Sequence, residues 1–137
     1  MSSFSPELWS DHSRAVLVLL DSWGVPASEQ VLLLGLPTTT RSRSLRRFQE
    51  DSSLPNDPTI EERVEHLLGI GEALYTSYPM NSQMGPRWMN TPNYRFDGRT
   101  PLAVLMEEGA EGLLMVRCHL DCAYAWQRDN ERGGQVG

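Results

Sequence analysis

Three histidines, two cysteines and a set of arginines are the residues of this 137-residue chain with the chemistry to catalyse, hold a metal or grip phosphate. His12, His66 and His119 fall on three separate expected helices, each in an ordinary amphipathic setting where a satisfied or solvent-facing imidazole is the common case. Cys118 and Cys122 stand four apart in a stretch that reads helical, which puts their Cβ atoms about 6 Å apart, too far for an unstrained disulfide. Small buried thiols are the expectation for both. Zinc would need further soft ligands, and His119 points about 100° away from Cys118 around a helix, so no metal is expected. Glu61 and Glu62, like Glu107 and Glu108, are sequence neighbours that do not face each other. No phosphate loop, nucleophile elbow or metalloprotease pattern occurs. The chain therefore reads as a protein with no catalytic residue and no cofactor, not as an enzyme.

The arginines are distributed unevenly. Every one of the 12 basic residues is Arg, against 18 acids, for a net charge of −6. Arg41, Arg43, Arg46 and Arg47 form one basic island in an otherwise acidic chain. Such a balance excludes a general nucleic-acid coat but permits a local phosphate-contacting surface. The apolar share of 39% and mean hydropathy of −0.41 are those of a soluble globular chain. The longest apolar run, residues 15–20, is far short of a bilayer span, and the single basic residue before it, Arg14, is offset by Glu7 and Asp11. No membrane association and no signal peptide are expected, and the cytoplasm is the expected compartment.

The elements that must position these residues read as helices punctuated by Pro and Gly, with no alternating strand. Ser5-Pro6 caps a first helix carrying Trp9, Val16, Leu19, Leu20 and Trp23 inward, closed by Gly24. A short helix over residues 27–34 ends at Gly35, and a third over 41–49 bears the island. Residues 51–58 form a turn-rich linker. Residues 59–78 make the clearest amphipathic helix, stopped by Pro79. A short helix over 81–90, a loop over 91–99, a helix over 102–108 and a last helix over 110–127 follow.

The second and third helices have the layout of a helix-turn-helix, with Arg41, Ser42, Arg43, Ser44, Arg46 and Arg47 as the DNA-reading face. Residues 38–41 lengthen its turn by about four positions over the compact form. The competing reading is a solvated Arg-rich helix contacting acidic neighbours. Later in the chain, Trp88 closes a short helix beside an Asn-Pro loop, a rigid corner that suits either an interface or a small core. Physics alone makes Trp88 core and Arg99 a loop-to-helix brace.

The run Leu67-Leu68-Gly69-Ile70, then Trp88, Pro92-Asn93, Phe96, Gly98-Arg99, Pro101-Leu102, Gly109 and Val116-Arg117, resembles the Xre/MbcA/ParS family of antitoxins. The resemblance covers residues 58–126 well and 14–50 more loosely. It implies an all-α protein with an N-terminal helix-turn-helix-like unit packed with a small C-terminal helical toxin-binding domain. The expected division is residues 1–57, 58–127 and a polar flexible tail over 128–137. It further implies a cognate RES-domain toxin that consumes NAD as partner, autorepression through operator DNA, and a homodimer. The toxin-facing candidates it carries over are Trp88, Asn90, Pro92, Asn93, Phe96, Arg99, Arg117, Asp121 and Trp126. Occlusion of the toxin's active site, with the last helix and tail at its cleft, is the mechanism it suggests. The alternative is a stand-alone helix-turn-helix regulator without a toxin partner.

Overall fold

A computed structural model describes residues 5–50 and 52–133 of the chain, with side chains as far as Cys122. Among these residues the architecture is all-helical: α1 (Pro6–Ser22), α2 (Ala27–Leu34), α3 (Ser42–Glu50), α4 (Pro58–Ser77), α5 (Met84–Met89), α6 (Pro101–Glu108) and α7 (Ala110–Gly133). No helix among them is long and apolar enough to cross a membrane. The last helix runs on to Gly133, past the expected end at residue 127. Residues 134–137 of the expected tail lie outside the described residues.

Local chemistry sets most helix ends. The Ser5 hydroxyl accepts from the Leu8 amide at 3.2 Å, with Pro6 in the first turn of α1. Thr100 does the same for Ala103 at 3.0 Å at the start of α6, again followed by Pro. Gly35 ends α2 in the left-handed region at φ 76°, where a side chain would be strained. Arg63 of α4 lies against that turn and donates from Nη1 to the Leu33 carbonyl at 3.3 Å. Its positive charge thus meets the negative end of α2.

One core runs through both halves of the chain. It joins Trp9, Leu17, Leu20 and Trp23 of α1 and its cap to Val64, Leu67 and Ile70 of α4, and on to Val104, Leu113 and Val116. Helix α4 is the central element, packed against α1, α2, α5 and α7. The linker between α3 and α4 is pinned to α1. Trp9 Nε1 donates to the Leu54 carbonyl at 2.8 Å, and the Leu54 amide donates to Ser13 Oγ at 3.1 Å. Ser13 is fully buried, so this hydrogen-bonded corner is shielded from water.

Helices α2 and α3 form the expected helix-turn-helix-like pair, joined by residues 35–41, and the lengthened turn is present. The Thr40 amide closes part of it onto the Pro37 carbonyl at 2.9 Å, while Leu36 is buried beneath. Leu45 anchors α3 in the core, at 5% exposure.

Candidate functional site

The expected loop over 91–99 is an ordered corner containing one 3-10 turn, Tyr94–Phe96. Asn93 organises it. Its amide donates to the Arg99 carbonyl at 3.0 Å, its carbonyl accepts from Phe96 and Gly98, and its side chain accepts from the Arg95 amide at 2.9 Å. Arg99 then ties the corner to α6, donating to the Phe96 carbonyl and pairing with Glu107 at 2.8 Å and Glu108 at 3.2 Å. These pairs raise the Arg99 pKa further. Arg99 is the loop-to-helix brace that its chemistry suggested. Asn90 is also engaged within the chain: Nδ2 donates to the carbonyls of Trp23 and Pro86, each at 2.9 Å, joining α5 to the end of α1. Pro92 is exposed.

Trp88 and Phe96 meet across His119 of α7, which is absent from the toxin-facing candidates implied by the resemblance. His119 stacks on Trp88, with ring centroids 6.1 Å apart and planes 13° from parallel, and takes Phe96 edge-on at 5.3 Å. Desolvation lowers the His119 pKa below its ordinary 6.5, and the nearby Arg95 charge acts in the same direction. The native state then holds a proton on this ring less readily than the unfolded chain does. Its contribution is complete above the unfolded value and is lost as pH falls through the lower native value. Wild type is expected to lose stability below about pH 6.5 more steeply than His119→Phe, as read from urea midpoints at pH 7.5 and 5.5. Equal losses in the two proteins would remove His119 from the pH response.

Arg117 and Asp121 come together on the α4 side of α7, lining a shallow pocket with Gly69, Glu72, Ala73 and Thr76. A Cβ at position 69 would stand 2.6 Å from the Arg117 guanidinium carbon, so glycine there allows the side chain to lie across α4. Arg117 Nη1 donates to His66 Nδ1 at 3.0 Å. Arginine has no acceptor, so His66 Nδ1 is the accepting atom of this bond.

Beside that pocket, α7 turns an unusually apolar face to solvent. Leu114 is 51% exposed and Met115 41%, and both cysteines are exposed. The buried-thiol expectation for Cys118 and Cys122 is therefore wrong. Leu113, Val116 and Leu120 set the inward phase of α7, and a residue two positions from each inward one falls on the opposite side. The apolar residues at 114 and 115, outside that inward set, were the feature from which this face could have been read. The Trp126 side chain lies outside the described residues.

On α3, Ser42, Arg43, Arg46 and Arg47 are exposed and Ser44 is half-buried, and Arg41, just before the helix, is exposed as well. None of the four arginines forms an ion pair with a described acidic residue, so the acidic contacts of the competing reading are not found there. Among the described residues no group of three or more His, Cys, Asp or Glu side chains converges.

Comparison with known proteins agrees with this geometry. Residues 83–122 match the family profile described as the antitoxin Xre/MbcA/ParS C-terminal toxin-binding domain. The chain is also similar to the "Uncharacterized protein y4oB" of Sinorhizobium fredii (strain NBRC 101917 / NGR234), at 30% identity over 108 residues, covering 79% of this chain and 80% of that protein.

Proposed function

With an Xre/MbcA/ParS antitoxin C-terminal toxin-binding domain matched over residues 83–122 as premise, we propose that the chain neutralises an NAD-consuming RES-domain toxin by covering the mouth of its active site. The observation that carries this reading is the exposed apolar face of α7, which lies within the matched toxin-binding segment. A lone helix face of Leu114, Met115, Cys118 and Cys122 in water is favourably buried against a partner. Arg117 and Asp121 at its edge supply charged contacts that fix orientation. The Trp88–His119–Phe96 stack and the Asn93 corner support that face from behind and hold α7 rigid, which lowers the entropy lost on docking.

Co-expression with a RES-domain toxin, size-exclusion chromatography and an NAD-consumption assay test the proposal. A stable complex with lost NAD consumption is the expected result. Toxins that neither co-elute nor lose activity, tried across RES-domain relatives, would overturn it and favour a stand-alone regulator.

Autorepression through α3 is the second part of the reading. Four exposed guanidinium groups with no ion pair to an acidic side chain among the described residues are placed to meet phosphates, and counterion release makes such binding salt-dependent. Replacing Arg46 and Arg47 together by Ala is expected to flatten the slope of log affinity against log salt by about 2 on the chain's own upstream DNA. Fluorescence anisotropy at several salt concentrations measures it. An unchanged slope would take α3 out of DNA contact. A homodimer presenting two such helices to two half-sites is the assembly proposed for this step.

A further inference from the structure

The solvent face of α7 carries three sulfur atoms in one strip. Met115, Cys118 and Cys122 lie within about 60° of one another around the helix axis, and all three are exposed. From the spacing of Cys118 and Cys122 we infer that this strip binds a soft, low-coordinate metal ion of the copper(I) class, with two thiolates as the primary donors and the Met115 thioether as the third.

The geometry selects the ion. Cys118 and Cys122 lie one helical turn apart on the same face of α7, their side chains leaning in parallel. Their Cβ atoms, about 6 Å apart, are too distant for a direct sulfur–sulfur bond. An ion held by two metal–sulfur bonds of about 2.3 Å each bridges such a gap without distorting the helix. Methionine, with three rotatable bonds, reaches in from the preceding turn. Zinc would require four ligands, and no further His, Cys, Asp or Glu converges on the strip among the described residues. His119 is turned away into its stack with Trp88 and Phe96. Thiolate and thioether donors with no oxygen or imidazole among them favour copper(I) over harder divalent ions. This inference stands on α7 alone and does not depend on the identity of any protein partner.

The test uses the full chain, reduced and kept anaerobic, titrated with copper(I) against bicinchoninate as a coloured competitor. One ion per chain is expected, with both thiols shielded together from a thiol-reactive dye. Cys118→Ser and Cys122→Ser should each weaken binding by about 100-fold or more, and Met115→Leu by about tenfold. All three positions are exposed, and circular dichroism at 222 nm confirms that the helices persist in each variant. Two ions bound independently, a single-cysteine variant within about threefold of wild type, or equal retention of zinc(II) would each overturn the assignment.

Discussion

Leu114→Asp abolishes toxin capture while leaving the free chain as stable as before: that is the expected outcome of the most direct test of the α7 face. Leu114 is 51% exposed, so its removal opens no cavity, and surface changes of this kind stay within about 0.5 kcal/mol. In the complex the new carboxylate would have to leave water opposite an apolar partner surface. That costs at least about 2 kcal/mol, or roughly 30-fold in affinity, before any lost packing is counted. Calorimetric titration with purified toxin and a thermal melt of the free chain separate the effects. Unchanged affinity would mean that α7 does not dock. Lost affinity with an equal loss of melting temperature would mean that the substitution acts through the fold. Leu114→Met, which keeps the apolar contact, should bind within about threefold of wild type.

Leu67→Ala is expected to have the largest effect on stability. Leu67 is completely buried on α4, the helix that contacts α1, α2, α5 and α7. Truncation of such a leucine costs about 3 kcal/mol, a large part of the 5–15 kcal/mol that holds a typical domain. For a chain of this size that lowers the melting temperature by about 10 °C. Because the core is continuous, the loss should be seen equally by two probes. With Trp88 and Trp126 replaced by Phe, the fluorescence of Trp9 and Trp23 reports on α1 and its end, and far-ultraviolet circular dichroism reports on all helices. Coincident shifts are expected. A tryptophan transition left in place while the helical signal moved would divide the chain into two separately folding parts.

Much of this architecture is legible in the sequence because helix boundaries are local events. Ser5-Pro6, Thr100-Pro101 and Gly35 mark ends that the structure places within a residue or two of expectation. The candidate site was harder, and the reasons differ by residue. The Asn93 corner depends on a bond to Arg99 six residues on, and His119 meets Trp88 and Phe96 across distances that no periodicity encodes. Arg117 reaches His66 on another helix, and only the glycine at position 69 hints that a neighbour lies close. The cysteines are a different case. The inward phase of α7 points them to solvent, against the general tendency of free cysteine to be buried. Phase, a property of this helix, is the better guide than a composition average.

The bonds that fasten the interhelical linker to α1 have a consequence for the lifetime of the protein in a cell. With Trp9 and Ser13 clamped to Leu54, the backbone at Leu54, midway between α3 and α4, is a poor place for a protease to cut the native chain. Degradation that proceeds through opening of the shared core then tracks the fraction of chains unfolded at any moment. A ligand present at about 100 times its dissociation constant adds about 2.7 kcal/mol and depletes that fraction about 100-fold. A partner seated on α7 would thus lengthen the half-life of the arginine-bearing α3 at the other end of the chain, although it never touches it. When the partner becomes scarce, both surfaces are cleared at one rate, and their abundance cannot drift apart.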